Sequence, residues 1–499
     1  MKTTHVLAIP AAALWLAALS PAAVAADEPT SAAAAAAQVC AGKVKSEALV
    51  TAALARAKAV APLNVFVTLD EAGALAAAKA LDAGPKAKRC AALAGVPIVV
   101  KDNIEVAGLP STGGTPALKG YVPKADAPVA KKLRAAGAIV IGKTNMHELA
   151  FGISGFNPAY NTGPEPGVRN AYDKTRSAGG SSSGTGAALG SRVVLAGLGT
   201  DTGGSVRIPC AFNGCASLRP TVGRYPAAGI LPISHTRDTA GPMATRMADV
   251  ELLDRVITGA TGATRPAALK GLRLGRVKEM LANMDADTQA AFDAAMAKLK
   301  DAGVVFVDVE MPKLGELNGA VSFPLALYEA FDDLTAYLSK TGTGLTVDKL
   351  AEQIASPDVK GTYQGLVIPR KLPGPNNTVV DAKPIYEAAM KTSRPALQKL
   401  YRDTFKNNRL DALVFPTVPK VAMAANAESS SVPTFIGVIQ NTDPGSNAGV
   451  PGLQLPIGLG ATSKLPVGLE LDGPVGSDRR LVAIGLAMEK LFGALPAPR

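Results

Sequence analysis

Residues 177–210 read SAGGSSSGTGAALGSRVVLAGLGTDTGGSVRIPC and form the most distinctive stretch of the chain. Serine and glycine crowd two parts of it, GGSSSG at 179–184 and GTDTGGS at 199–205. Runs of these residues are ordinarily flexible linkers. Here the apolar residues of 187–198 follow the first run at once, which indicates packing inside the protein. We therefore predict an ordered stretch that carries serine hydroxyls at defined positions.

Short apolar strands and amphipathic helices alternate around this stretch. The strands are predicted at 96–100, 138–141, 272–277, 304–309, 412–415 and 466–471. The helices are predicted at 45–60, 71–82, 126–136, 247–258, 287–302 and 478–492. Strands that alternate with helices indicate an α/β layer fold. The alanine run at 32–37 is expected to be a loose N-terminal segment.

Length and composition fit a large globular domain. The chain has 499 residues, of which 47% are hydrophobic and 19% charged, and this excludes a wholly disordered protein. Large α/β enzymes can form a single domain that is well above the usual domain size. Neither an internal repeat nor a long linker is visible. We predict one domain at 27–499, with mixed helices and loops at about 314–408 that depart from the alternation.

The first 26 residues have the layout of a secretory signal peptide. Lys2 supplies a positive start, an apolar run follows at 6–19, and small residues lie at the expected cleavage positions. The apolar run is shorter than the roughly 20 residues of a membrane span. The alternative is an uncleaved N-terminal anchor. We expect an exported protein, periplasmic or secreted, with no stable membrane insertion once the leader is removed.

Charge and cysteine content exclude several partners. The formal net charge is +11, and it is spread along the chain without a basic block, so nucleic-acid binding is not expected. No cysteine pair has the CxxC spacing of a zinc site. In an exported protein we expect a disulfide between Cys40 and Cys90. Cys210 and Cys215 lie among apolar and small residues and are expected to be buried thiols.

Three short motifs do not fit the chemistry that they usually carry. Residues 137–144 match the phosphate-loop pattern, but their middle four residues are the predicted strand itself. Ser182 is the centre of a GxSxG pattern, yet the one histidine that follows it, His235, lies too close behind it for an α/β-hydrolase. His147 begins an HExxH pattern with Phe151 in place of the second histidine. We therefore predict neither a metal nor a nucleotide cofactor.

Histidine is scarce, which bears on the type of catalysis. Once the leader and His5 are removed, only His147 and His235 are left. Hydrolysis of a stable bond needs a base for the nucleophile, and histidine is the usual one. A serine-rich chain with so few histidines favours a serine–lysine arrangement instead.

The chain resembles the amidase signature family at nearly every position that the family motif restricts within 177–210. The resemblance extends to GVPIVVKDNI at 95–104, IGKTNMHE at 141–148 and the long motif at 218–243. Two C-terminal segments, at 441–458 and 465–481, also fit. Roughly two-thirds of the mature chain is covered. The resemblance implies a single large mixed β-sheet with helices on both faces.

The resemblance also implies a catalytic triad. Lys101 would be the base, Ser181 the relay after a cis peptide bond, and Ser205 the nucleophile. A lysine removes a proton only when it is neutral, and burial favours the neutral form. Lys101 follows an apolar strand that supplies such burial. Asp102 would oppose this effect if it faced the amine, so we expect its side chain to point elsewhere.

Further residues are assigned to the site by the same resemblance. Backbone N–H groups of a tight turn would form the oxyanion hole, namely those of Thr202, Gly203, Gly204 and Ser205. Asp201 and Arg207 are expected to support this turn as a structural ion pair. His235 is expected at the edge of the pocket.

The implied reaction is hydrolysis of a carboxylic acid amide to carboxylate and ammonia or amine, through an acyl-enzyme on Ser205, without metal or cofactor. Several motifs look most like those of indoleacetamide and mandelamide hydrolases. They favour a small-molecule aryl or arylacetic amide, with 314–408 shaping the pocket. The alternatives are an exported peptide amidase, an aryl-acylamidase, a carbamate or ester hydrolase, an amidotransferase A-type subunit, or an inactive binding protein on this fold. The sequence leaves open a homodimer.

Overall fold

The computed structural model of the protein describes residues 28–161 and 166–498, so the leader predicted at 1–26 lies outside the described residues. Thirteen strands occur in the described part of the chain: β1 (Phe66–Leu69), β2 (Pro97–Lys101), β3 (Ile139–Thr144), β4 (Ala196–Asp201), β5 (Ala216–Arg219), β6 (Thr239–Ala244), β7 (Arg273–Val277), β8 (Val305–Val309), β9 (Lys371–Pro373), β10 (Val379–Asp381), β11 (Ala412–Pro416), β12 (Gly452–Leu459) and β13 (Pro466–Asp472).

The α-helices of the described residues are α1 (Ala32–Cys40), α2 (Ser46–Ala59), α3 (Glu71–Asp82), α4 (Lys86–Arg89), α5 (Pro128–Ala135), α6 (Ser183–Gly190), α7 (Arg207–Asn213), α8 (Met247–Thr258), α9 (Ala286–Asp301), α10 (Leu314–Gly319), α11 (Ser322–Thr341), α12 (Val347–Glu352), α13 (Pro357–Thr362), α14 (Ala382–Ala388), α15 (Arg394–Asn408), α16 (Val432–Ile439), α17 (Thr442–Ala448) and α18 (Asp478–Phe492). The helices and strands predicted from the sequence all occur, with ends within a few residues of those expected.

One mixed sheet of eleven strands organises the residues that the structure describes. Its strand order is β1-β3-β2-β4-β6-β5-β12-β13-β11-β7-β8. The pairs β3–β2, β2–β4, β11–β7 and β7–β8 are parallel, and the remaining pairs are antiparallel. The predicted α/β class with a single large mixed sheet is therefore confirmed.

Helices cover both faces of this sheet. Successive residues of a strand point to opposite faces. In β2, Ile98 and Val100 join the core that includes α5, α8, α9 and α18, whereas Val99 joins the core that includes α2, α3 and α6. A strand that is apolar on both faces reads as a continuous hydrophobic run, which is why residues 96–100 could be recognised from the sequence.

The region at 314–408 has a core of its own. Apolar side chains from α11, α12 and α13 pack together and against Leu149 and Leu231, which lie in loops that follow β3 and precede β6. Its short hairpin pairs β9 with β10 apart from the main sheet. The role of this region in shaping a pocket, and the single domain at 27–499, stay predictions at this point. In the described residues no helix is both long and apolar enough to cross a membrane.

The expectation of a loose segment at 32–37 is wrong, because these residues form most of α1. The Ser31 hydroxyl accepts a hydrogen bond from the Ala34 N–H at 3.0 Å. The Asp249 carboxylate, which belongs to α8, accepts from the N–H groups of Ala32 and Ala33 at 2.8 and 3.0 Å. Free N–H groups at a helix start need such acceptors. The carboxylate that supplies them lies more than 200 residues away, so the sequence alone did not indicate it.

Both cysteine pairs are disulfides. The Cys40–Cys90 bridge agrees with the expectation. The expectation of free thiols at Cys210 and Cys215 is wrong, since these residues are also bridged. Gly214 adopts a left-handed conformation, with φ of 69°, at the end of α7. The chain turns back there, so the Cys215 N–H donates to the Cys210 carbonyl at 3.1 Å and the two Cα atoms lie 4.5 Å apart.

The Cys40–Cys90 bridge should contribute to stability by restricting the unfolded chain. It closes a loop with a sequence separation of 50 residues. The chain-entropy relation then gives about 4 kcal/mol. We expect Cys40→Ser and Cys90→Ser each to lower the free energy of unfolding in guanidinium by about this amount. The double variant is the control, because it should lose no more than either single variant. An unchanged midpoint in the single variants would contradict this account.

Candidate active site

Lys101 and Ser181 meet at one edge of the sheet. Lys101 is the last residue of β2, and Ser181 lies just before α6. The Lys101 Nζ atom is 2.7 Å from the Ser181 Oγ atom, and both side chains are fully buried. The Gly180–Ser181 peptide bond is cis, as the resemblance implied.

Ser205 lies beside this pair, in the turn between β4 and α7. Because β2 and β4 are parallel neighbours, their carboxyl ends lie at the same edge of the sheet. The Ser182 N–H donates to the Ser205 carbonyl at 3.2 Å and so joins the two serine-rich segments. The Ser182 hydroxyl itself donates to the Thr200 carbonyl at 3.1 Å. Ser182, the centre of the GxSxG pattern, therefore has a structural role.

The environment of Lys101 favours its neutral amine. Burial lowers the pKa of Lys101 to about 7, although the carboxylates of Asp201 and Asp238 act in the opposite direction. The Asp102 carboxylate faces away, as expected. It accepts hydrogen bonds from the N–H groups of Thr112 and Gly114 at 3.0 and 3.3 Å. A substantial fraction of Lys101 is therefore able to accept a proton near neutral pH.

Two further side chains near the lysine were not anticipated, one in contact with its amine and one in contact with that neighbour. The Lys101 Nζ atom is also 2.7 Å from the Thr200 Oγ1 atom. The Asn103 Nδ2 atom donates to the same Thr200 oxygen at 3.1 Å. Asn103 follows Lys101 by two residues, and Thr200 begins the TDTGGS segment. The polar residue Asn103, two positions after the predicted base, was the feature of the sequence that could have indicated these contacts.

The backbone of the turn before Ser205 is held through its carbonyl groups. The Arg237 Nε atom donates to the Thr202 carbonyl at 3.3 Å. In a trans peptide the carbonyl and the following N–H point in opposite directions. The Gly203 N–H therefore points away from Arg237. Thr202, Gly203 and Ser205 all line a cavity at this edge of the sheet.

Gly204 does not supply an oxyanion donor, so this part of the expectation is wrong. The Thr442 hydroxyl donates to the Gly203 carbonyl at 2.6 Å, which directs the next N–H to the other side. There the Gly204 N–H donates to an Asp201 carboxylate oxygen at 2.8 Å. The donors still available in this turn belong to Thr202, Gly203 and Ser205.

Asp201 and Arg207 form a fully buried ion pair behind the turn. Their closest atoms lie 3.0 Å apart, and Arg219 is 2.9 Å from the same carboxylate. Burial alone would raise the pKa of Asp201, but the charges of Arg207 and Arg219 hold this pKa well below its usual range. The Arg207 guanidinium also bonds Glu470 on β13. The turn is thus attached to a charged network in the middle of the sheet.

The cavity above Ser205 has a volume of about 250 Å³. Most of its wall is apolar and comes from Ala150, Phe151, Ile153, Ile233, Phe323 and Phe435. Its ionisable side chains occur in pairs, with Arg237 2.7 Å from Asp443 and the His147 ring 3.0 Å from the Asp358 carboxylate. Because each of these polar groups already has a partner, the cavity suits an apolar and uncharged ligand.

His235 does not line this cavity, which corrects the expectation of a pocket-edge residue. Its side chain is 62% exposed, and its Nδ1 atom is 3.0 Å from the Asp333 carboxylate on α11. His147 lines the cavity instead. In the described residues, the one cluster with metal-ligand spacing is His235 with Glu329 and Asp333, and none of these three lines the cavity.

Comparison with known proteins places this site in a family. The Amidase family model matches residues 48–482. Mandelamide hydrolase of Pseudomonas putida is 46% identical over 460 residues, which cover 91% of this chain and 90% of that protein. Indoleacetamide hydrolase of Agrobacterium vitis is 42% identical over 449 residues, which cover 89% and 92% of the two chains.

Solved structures agree with the sequence relatives. A peptide amidase bound to the competitive inhibitor chymostatin superposes with a TM-score of 0.81 at 30% identity, over 94% of this chain and 99% of that one. The native peptide amidase of Stenotrophomonas maltophilia superposes with a TM-score of 0.78 at 30% identity, over 94% and 98% of the two chains. The chain therefore belongs to the amidase family and is an amidohydrolase.

Proposed function

We propose that this amidase hydrolyses small aryl or arylacetic primary amides to a carboxylate and ammonia, through an acyl-enzyme on Ser205. The observation that carries the proposal is the buried Lys101 amine, 2.7 Å from the Ser181 hydroxyl. Its pKa of about 7 leaves the amine partly neutral near neutral pH. This pair lies beside Ser205, which opens into a largely apolar cavity.

The proposed first step is a relayed proton transfer. Neutral Lys101 accepts the proton of Ser181 while Ser181 accepts the proton of Ser205. The freed Ser205 oxygen attacks the amide carbonyl carbon and forms a tetrahedral intermediate. On collapse, the C–N bond breaks and the proton returns through Ser181 to the leaving nitrogen. Ammonia leaves, and the acyl group stays on Ser205.

Water completes the cycle by the reverse relay. It loses a proton toward Lys101 through Ser181, attacks the acyl carbonyl and releases the carboxylic acid with regeneration of the Ser205 hydroxyl. In both steps the oxyanion is stabilised by N–H groups of the turn, for which we assign Thr202, Gly203 and Ser205. One such donor is typically worth about 2.7–4 kcal/mol of transition-state stabilisation.

The substrate class follows from the cavity. A volume of about 250 Å³ fits a small ligand, and the apolar wall fits an aromatic ring. Phe323, Ala326 and Leu327 of α11 contribute part of this wall, which supports the prediction that 314–408 shapes the pocket. The relatives named for mandelamide and indoleacetamide share more of the sequence than the peptide amidases do, so we place this chain with the former.

A second candidate is a peptide amidase that acts on C-terminal amides. The observation in its favour is the close superposition on two peptide amidase structures.

Esters, carbamates and anilides are further substrates that could form the same acyl-enzyme on Ser205. An amidotransferase A-type role would require partner chains, and an inactive binding protein would have no use for the Lys101–Ser181 pair. Amide turnover by the purified protein alone would exclude both.

We also propose that the enzyme works outside the cytoplasm. Support comes from the leader-like residues 1–26 and from the two disulfides, since disulfides persist mainly in oxidising compartments. A homodimer stays a prediction that light scattering of the purified protein can test.

Removal of the triad hydroxyl or amine should abolish turnover. We expect Ser205→Ala and Lys101→Ala to lower kcat/KM for ammonia release from mandelamide by at least ~10⁴-fold, with an unchanged circular dichroism spectrum. Ser217→Ala is the matched control, because Ser217 is a buried serine on β5 away from the cavity, and it should keep wild-type activity. Wild-type turnover in Ser205→Ala would disprove the mechanism. Faster turnover of peptide amides than of aryl amides would favour the second candidate.

Activity should fall on the acid side with an apparent pKa of about 7. Below this pH Lys101 binds a proton and loses its lone pair, so kcat/KM should drop about tenfold per pH unit. Histidine is the other residue type that titrates in this range. His147→Gln is therefore the control and should keep the acid limb. A profile that is flat between pH 5.5 and 8, or a limb that disappears with His147→Gln, would argue against Lys101 as the base.

Export can be followed through the single tryptophan. Trp15 lies in the leader, so the mature chain contains no tryptophan. We expect the exported protein to show tyrosine-like fluorescence and an intact mass that lacks about 26 residues. Protein produced without its leader is the reference for the spectrum. A tryptophan emission band in pure exported material would show that the leader is retained.

A further inference from the structure

The Lys101 amine has two hydroxyl neighbours at equal distance. Its Nζ atom is 2.7 Å from the Ser181 Oγ atom and 2.7 Å from the Thr200 Oγ1 atom. An ammonium group has three N–H donors, whereas a neutral amine has two N–H donors and one lone pair. The lone pair must point at Ser181 if Lys101 is to accept its proton. The orientation of the amine must therefore be fixed, so that its lone pair faces Ser181 and an N–H faces Thr200.

Asn103 supplies a hydrogen bond that the Thr200 hydroxyl oxygen accepts. The Asn103 Nδ2 atom lies 3.3 Å from the Leu231 carbonyl and 3.1 Å from the Thr200 Oγ1 atom. A carbonyl only accepts hydrogen bonds, so the nitrogen and not the oxygen of the Asn103 amide faces this side. Thr200 therefore accepts one hydrogen bond from Asn103. Its oxygen then keeps one lone pair and one O–H. Because the Lys101 ammonium can only donate, the lone pair is what receives an N–H of Lys101 when the lysine is charged.

Thr200 is also held in place through its backbone. Its N–H donates to the Ser182 hydroxyl at 3.3 Å, and its carbonyl accepts from the same hydroxyl at 3.1 Å. It belongs to β4, which pairs with the strand that carries Lys101. These contacts fix the backbone that carries the Thr200 hydroxyl, whose oxygen lies 2.7 Å from the Lys101 amine.

We propose that Thr200 is a positioning residue of the proton relay. It accepts an N–H of Lys101 in both protonation states, so that the lone pair of the neutral amine is directed at Ser181. Asn103 acts through Thr200 by holding its hydroxyl as an acceptor. Proton transfer then changes the hydrogen bond to Ser181 and leaves the one to Thr200 intact. This inference rests on the proposed role of Lys101 as the base.

Thr200→Val is the central variant, because valine has the same shape and lacks the hydroxyl. We expect kcat/KM on the pH plateau to fall at least tenfold. The ammonium form loses an acceptor, so the acid limb should move to lower pH. Thr200→Ser restores the hydroxyl, so it should recover most of the activity and the original apparent pKa of the acid limb. Thr185→Val is the matched control, because Thr185 is a buried threonine of α6 bonded to Thr144, and its limb should not move.

A double-mutant cycle tests the part assigned to Asn103. Asn103→Ala should lower kcat/KM in the wild-type background and have almost no effect in Thr200→Val, because its partner is then absent. Additive losses would overturn the proposal, since they would mean that the two residues act separately. Loss of activity in Thr200→Val with an unmoved acid limb would overturn it as well, because it would indicate a merely structural role.

The outcomes also separate this inference from the proposed function. If Lys101→Ala keeps its activity, the proposed mechanism fails and this inference fails with it. If Lys101→Ala is inactive while Thr200→Val behaves as wild type, only this inference fails. Should Thr200→Val not fold, Thr200→Ala replaces it in the same cycle, with the same expected direction of the pH shift.

Discussion

The burial of one amine is the constraint on which the rest of the site depends. Lys101 ends a strand that is covered on both faces, and the hydrogen-bond partners of its Nζ atom are hydroxyl groups. A carboxylate in contact would restore the charged form. The neighbouring acids are accordingly engaged elsewhere, with Asp102 3.4 Å from the Lys143 amine and Asp201 beside two arginines. The charges of the site are arranged so that one lysine can lose its proton.

Local patterns were sufficient to predict the α/β class. The single mixed sheet and the assignment of Lys101, Ser181 and Ser205 to the site came from the resemblance to the family. The continuous apolar run at 96–100 predicted a buried strand, and the resemblance assigned the proposed base, Lys101, to its end. The serine-rich segments at 179–184 and 199–205 indicated where Ser181 and Ser205 lie. In each case the motif consists of a few neighbouring residues and is visible in a single sequence, while the catalytic roles of these residues stay predictions.

Most of the errors have a common physical cause, which is a partner that is distant in the sequence, and the bridge between Cys210 and Cys215 is the exception. Asp249 orders the helix at the N-terminus, and Asp333 draws His235 away from the cavity. The Gly204 N–H is taken by Asp201 because Thr442 fixes the preceding carbonyl. Sequence patterns do not give the direction of a backbone N–H or the identity of a partner that lies 98 or more residues away, as Asp333 does from His235. Thr200 was not predicted as a site residue for the same reason, since its proposed role depends on its contact with Lys101.

The separate core of the 314–408 region has a consequence for how such enzymes diverge. Lys101 lies at the end of β2, and Ser205 lies in the turn after β4. Phe323, Ala326 and Leu327 instead come from α11, which packs mainly within its own layer. Substitutions in that layer can reshape the wall without repacking the sheet beneath the lysine. Selection can therefore act on substrate choice and on bond cleavage almost independently. A fold with this separation can acquire new substrates by gradual change and remain an active hydrolase at each step.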